Sequence, residues 1–180
     1  MDGPFGSVKA VTESMIIMMD SRIKYRRLKK GEETRVSEFI SMVFHGHVAS
    51  GLSQEGIDEF MKYIRPDEIK RQLKENHVAF IAIHDGSILG VIEVRNNNHV
   101  ALFFVDGGFQ RRGIGKKLLQ KALELCRGSD PEFSALTVNA SLNSTMAYET
   151  LGFEATDVEQ CKNGIRFVPM VLNQEWRTPA

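Results

Sequence analysis

Between Gln110 and Lys117 the chain reads Gln-Arg-Arg-Gly-Ile-Gly-Lys-Lys, and Leu118, Leu119, Ala122, Leu123 and Cys126 follow at helical spacing. The pattern predicts a helix over 110–128 with glycines and cations gathered at its start. Basic side chains there oppose the helix dipole unless an anion sits between them. Glycine lets the backbone come close to a ligand, and the first turn leaves its N–H groups without partners inside the helix. Gly113 and Gly115, with Arg111, Arg112 and Lys116, therefore read as a phosphate or pyrophosphate site. The spacing excludes the common nucleotide loops. No Gly-x-x-x-x-Gly-Lys-Ser/Thr run is present, and a third glycine after Gly113-Ile114-Gly115 is missing.

Other residues invite chemistry less directly. Glu93 interrupts the apolar run "GVIEV". Facing inward, a carboxylate there is costly unless it has a partner or a task. Alternation also permits Glu93 to face solvent or to pair with Arg95. His45 and His47 in "FHGHVASG" form an H-x-H pair with no third ligand nearby, so no metal site is expected. They read as loop histidines on a lid over an acceptor site. Cys126 and Cys161 have no metal-ligand spacing and are too few for a disulfide framework, which suits a reducing cytoplasm.

These residues need elements to hold them. A strand is expected at 22–30, with Ile23, Tyr25 and Leu28 inward. Helices follow at 31–44, from Ser53 through "IDEFMKYI", and at 67–76, with 45–56 as a loop. Strands at 78–84, 88–95 and 99–105 are separated by Asp85-Gly86 and the asparagines at 96–98, which makes an antiparallel meander. After the glycine-led helix come a strand at 134–140 and a helix at 144–152. Two last strands, "FEATDVEQC" and "IRFVPMVL", turn at Asn163-Gly164. The fold class is α+β, with a mixed, mostly antiparallel sheet, helices on both faces and a parallel strand–helix–strand unit around 110–128.

Gln110-Arg111-Arg112-Gly113-Ile114-Gly115, after a strand ending "LFFVD", closely resembles the Q/R-x-x-G-x-G/A signature of the GNAT superfamily of acyl-CoA-dependent N-acyltransferases. "NSTMAYETLGF" (143–153) resembles that family's later helix and strand, and the element order agrees over about 22–172. The resemblance implies acetyl-CoA as co-substrate, with its pyrophosphate at Gln110, Arg111, Arg112, Gly113, Ile114, Gly115 and Lys116. It implies that the backbone of Phe103 and Val105 binds the pantetheine arm. Tyr148 matches the family tyrosine that protonates the leaving thiolate, and Glu93 is the candidate base. A coenzyme-contacting asparagine is matched by Asn143, with Ser141 and Asn139 as alternatives. The glutamate that some protein-acetylating relatives carry is replaced by Thr137. A non-catalytic acyl-CoA sensor and a nucleotide-binding regulator are the other readings these residues allow.

At 180 residues, 42% hydrophobic and 26% charged, the chain suits one soluble domain over 22–180 after an N-terminal extension, 1–21. Zero formal net charge gives no global electrostatic reason for nucleic acid or an acidic membrane surface. The apolar "MIIMM" at 15–19 is too short to span a membrane and is expected to serve a homodimer interface instead. The acceptor is expected to be a small-molecule or peptide amine.

Overall fold

The computed structural model describes residues 22–173; the extension 1–21 and its "MIIMM" segment lie outside them. The order is β1 (Lys24–Arg27), α1 (Glu33–His47), α2 (Gln54–Tyr63), α3 (Pro66–Gln72), β2 (His77–His84), β3 (Ser87–Arg95), β4 (His99–Val105), α4 (Ile114–Ser129), β5 (Ala135–Ser141), α5 (Thr145–Thr150), β6 (Glu154–Ala155), β7 (Gln160–Lys162) and β8 (Ile165–Asn173). The strands form one sheet in the order β1-β2-β3-β4-β5-β8-β6, with β7 on the outer part of β8. Among the described residues only β4 and β5 run parallel, and every other pairing is antiparallel.

Local signals account for most of this. Asp85, Gly86, Asn163 and Gly164 take positive φ, the backbone that tight hairpins require. The Ser53 side chain accepts the Gly56 N–H and opens α2. Pro66 stands in the first turn of α3, where its missing N–H costs nothing. Gly152, at φ 94°, ends the turn after α5.

Two apolar layers flank the sheet. On one face α1, the C-terminal end of α2 and α3 bury Val36, Phe39, Ile40, Val43, Ile64 and Ile69 against Ile81, Val91 and Leu102. On the other, α4 buries Ile114, Leu118, Leu119, Leu123 and Cys126 against Phe80, Ile92, Leu136 and Val138. Leu102 and Phe104 belong to the first face, Phe103 and Val105 to the second, as alternation along β4 requires.

Some boundaries differ from the sequence reading. His45 and His47 are not loop residues: α1 runs on through both, and the Val48 N–H bonds the Phe44 carbonyl. Two imidazoles in the last turn suit the negative end of the helix dipole. Residues 110–113 are not helical, because Arg111 (φ 58°) and Gly113 (φ 77°) are left-handed and α4 starts only at Ile114. The stretch read as one strand, "FEATDVEQC", divides into β6 and β7, each pairing a different part of β8.

Candidate active site

The site is built on a separation of strands. β4 and β5 pair only at His99–Thr137 and Val100–Val138. Beyond that point β4 stays with β3 as far as Gly90–Val105, while β5 stays with β8 as far as Ser141–Phe167. A gap therefore opens in mid-sheet beside the second half of β4. An extra residue, Ala101, interrupts the β3–β4 register between Val94–Val100 and Glu93–Leu102. Such a bulge reverses which residues turn their backbone to which neighbour. After it, Asp106 donates its N–H to the Leu89 carbonyl of β3 at 2.9 Å. Counting back by alternation, Phe103 and Val105 turn their N–H and C=O into the gap. The Val105 carbonyl accepts a hydrogen bond there from the Gln110 side chain at 3.3 Å.

The chain then leaves β4 by a tight turn in which Asp106 Oδ1 accepts the Gly108 N–H at 2.8 Å. Left-handed Arg111 and Gly113 bring it back onto the sheet at the start of α4, where the Lys117 N–H makes the first helical bond, to Gly113 O at 3.0 Å. The N–H groups of Ile114 and Gly115 precede that bond. A Cβ on Gly115 would lie 3.5 Å from Phe103 Cζ and 3.8 Å from Val105 Cγ2, so the helix start rests directly on the gap. The first turn of α4 holds no acidic residue. Arg112 stacks over the Phe109 ring at 5.2 Å, and the Lys117 ammonium lies 5.4 Å from the Tyr25 ring centroid. A strand edge with inward-turned amides, leading into a cationic glycine-lined helix start, fits an acyl-pantetheine arm that ends in a pyrophosphate.

Tyr148, on α5, is 9% exposed and packs edge-on against Phe103 and Phe153, with centroids 6.0 and 5.3 Å apart. Burial pushes its phenol well above the usual tyrosine range, so the hydroxyl keeps its proton at neutral pH. Glu93 faces inward, 1% exposed. Its Oε1 takes both available donors, His77 Nδ1 at 2.8 Å and the Tyr63 hydroxyl at 3.4 Å, and it does not pair with Arg95. Burial and the neighbouring Glu93 carboxylate hold the Tyr63 phenol in its neutral form. Glu93 lies opposite Leu102, one strand away from the gap and on the α1–α3 face, whereas Tyr148 packs on the α4 face. The two expected catalytic side chains thus stand on opposite faces, and the gap is where those faces communicate.

The remaining expected residues cluster at the mouth. The Asn143 amide donates to the His47 carbonyl at 3.5 Å, tying the end of β5 to the end of α1. The His47 ring packs on Gly107, where a Cβ would come within 2.7 Å of Nε2. Ser141 and Ser144 bond each other at 2.7 Å, and Asn139 is exposed on β5. Among the described residues no group of three His, Cys, Asp or Glu could hold a metal ion. No helix among them is long and apolar enough to cross a membrane.

Sequence reasoning missed His99. Its Nδ1 lies 2.8 Å from Thr137 Oγ1, at the first of the two pairings that precede the parting of β4 and β5. Burial, and then the Arg95 charge, pull its pKa down to about 4, so the ring is neutral at physiological pH. A histidine just past an asparagine turn carries no signal of this; only the pairing register shows it.

This is the fold of an acyl-CoA-dependent acetyltransferase. Residues 48–174 match the model of the acetyltransferase (GNAT) domain, and the chain belongs to that family. A search of curated proteins finds no match. Among solved structures, a GCN5-related N-acetyltransferase from Rhodopseudomonas palustris is 17% identical with a TM-score of 0.71, over 83% of this chain and 94% of that one. The PaiA N-acetyltransferase of Thermoplasma acidophilum, solved with coenzyme A, is 16% identical with a TM-score of 0.66, over 82% of this chain and 97% of that one. The ribosomal-protein-S18-alanine N-acetyltransferase of Escherichia coli is 14% identical with a TM-score of 0.58, over 86% and 96%. At these identities the likeness is one of fold.

Proposed function

We propose that the protein transfers an acetyl group from acetyl-CoA to a primary amine by direct attack on the thioester, with Tyr148 as the general acid. The observation that carries this reading is the gap beside Phe103 and Val105 running into the glycine-lined start of α4. The pantetheine arm lies along β4, and the Val105 N–H meets the thioester oxygen as charge builds on it. The pyrophosphate takes the N–H groups after Gly113, with Gln110, Arg111, Arg112 and Lys116 around it. Asn143 contacts the coenzyme from the other wall.

In the reaction the amine nitrogen bonds to the carbonyl carbon and the C–S bond breaks. The thiolate takes the Tyr148 proton, and the amine gives its own proton to a base on the α1–α3 face. Glu93, the base that the family resemblance suggests, and His99 both stand on that face. Amine acceptors are named for some similar folds, including ribosomal protein S18 alanine. The acceptor here meets the α1–α2 segment and the β7–β8 turn, which the Ser53 hydroxyl joins by donating to Gly164 O at 3.2 Å.

The test is release of free thiol from acetyl-CoA with a panel of arylalkylamines, polyamines, amino sugars and peptides, the acetylated product being identified by mass spectrometry. Thiol release that depends on the amine supports the reading. Thermal stabilisation by acetyl-CoA without turnover on any member would support the acyl-CoA sensor. Competition by ATP in place of CoA would mark a nucleotide-binding regulator.

A further inference from the structure

We propose that His99 is the residue that takes the proton from the attacking amine, through an unprotonated Nε2. The inference rests on the acetyltransferase reading above and names the base within it. It starts from a hydrogen-bond assignment in which every donor finds an acceptor. Thr137 Oγ1 lies 3.2 Å from the Asn98 carbonyl, which can only accept, and in this assignment the threonine hydrogen points there. Oγ1 then meets His99 Nδ1, at 2.8 Å, as an acceptor, and the imidazole proton is on Nδ1. Nε2 is left with its lone pair, as a base requires.

Position agrees. Directly opposed residues of a sheet share a face, so His77, Arg95, His99 and Thr137 stand in one row on the α1–α3 side. Of these His99 is on β4 itself, one residue before the pairing at which the gap opens, and half-buried. Glu93 is level with Leu102, but the buried Leu102 side chain stands between it and the gap. Phe103, the first residue past the bulge to turn its N–H into the gap, is about 13 Å of strand from His99 and Val105 about 20 Å; the small Ala101 lies between, and a chain of bridging waters carries the proton over the remainder. Burial, and then the Arg95 charge across from His99, discourage permanent protonation of the ring, which keeps it ready to accept. The balance closes: the amine proton reaches Nε2, the imidazolium returns it to solvent at its exposed edge, and solvent reprotonates Tyr148.

The test uses the panel amine that supports turnover. His99→Asn puts an amide donor near the Nδ1 position but offers no base. It is expected to lower kcat by about a hundredfold or more, with KM for acetyl-CoA and thermal stabilisation by CoA unchanged. Imidazole added to His99→Ala should restore part of the rate, which a structural role would not allow. Thr137→Val removes the partner that fixes the tautomer, and a smaller loss of kcat is expected. It serves as the second variant if His99 substitutions fail to fold. Wild-type kcat in His99→Asn, while Tyr148→Phe is impaired, overturns the inference and leaves the acetyltransferase reading standing. Loss of kcat in Glu93→Gln but not in His99→Asn gives the role to Glu93. If no amine in the panel supports thiol release by the wild type, the parent reading fails and this one with it.

Discussion

If His99 is held neutral by its surroundings, the protein should lose stability on mild acidification, and one substitution should remove that loss. The ordinary histidine pKa is 6.5 and the folded value is about 4. Between those values the unfolded chain binds a proton at residue 99 and the folded chain does not. Stability therefore rises with pH across this window, and falls as pH drops from about 6.5 toward 4. A shift of that size has a ceiling of about 3.4 kcal/mol. The ring is only half-buried and solvent screens it, so about 1–2 kcal/mol is the working figure. For a chain of this size that is about 2–8 °C in melting temperature. Melting curves of wild type and His99→Gln at pH 7, 5.5 and 4 test it. Carboxylates such as Glu32, whose salt bridge to Arg26 lowers its pKa to about 2, contribute equally to both proteins and cancel. The wild type should lose those extra degrees between pH 6.5 and 4. Parallel curves would refute the reasoning.

Three further outcomes follow from the geometry. Tyr148→Phe should lower kcat by roughly ten- to ten-thousandfold with acetyl-CoA affinity kept, because the ring packing survives; unchanged kcat in the steady-state assay would make Tyr148 a packing residue. Gly115→Asp should abolish thermal stabilisation by CoA without unfolding the chain, since its Cβ meets only ordinary contacts at 3.5 and 3.8 Å; stabilisation like wild type would place the pyrophosphate elsewhere. Gly56→Ala drives a Cβ to 2.5 Å from the Gly164 carbonyl oxygen and should cost about 1–3 kcal/mol, whereas Gly128→Ala, with nothing within 4 Å, should gain roughly 0.5–1 kcal/mol. Denaturant midpoints of the two variants moving the same way would contradict this.

Much of the fold was legible because its signals are local. The turns at Asp85-Gly86 and Asn163-Gly164, the cap at Ser53 and the stripe from Leu118 to Cys126 each depend on a few adjacent residues. The glycine-led turn into α4 was legible for the same reason, although left-handed Arg111 was not: a non-glycine residue at positive φ is held by its surroundings rather than by its own preference. Glu93 was legible only as a choice between burial and solvent, and His77 and Tyr63, from separate elements, decide it. His99 was illegible because its meaning comes from Thr137, 38 positions away. His45 and His47 were misplaced because Gly46, with open space around it, reads as a loop glycine although α1 accommodates it.

The extra residue at Ala101 has a consequence for how the protein keeps its own sheet from being misused. Turning Phe103 and Val105 outward creates two strand edges inside a sheet, and unpaired edges invite other extended chains to add to them. Because β4 and β5 share only two pairings before they part, the opening tapers, and a regular strand at about 4.8 Å spacing can match one wall but not both. A thin, flexible acyl-pantetheine arm has no such demand. On the proposed function the wedge admits the coenzyme and discourages peptide, so the bulge and the two short pairings serve binding and protection from strand-by-strand self-association together.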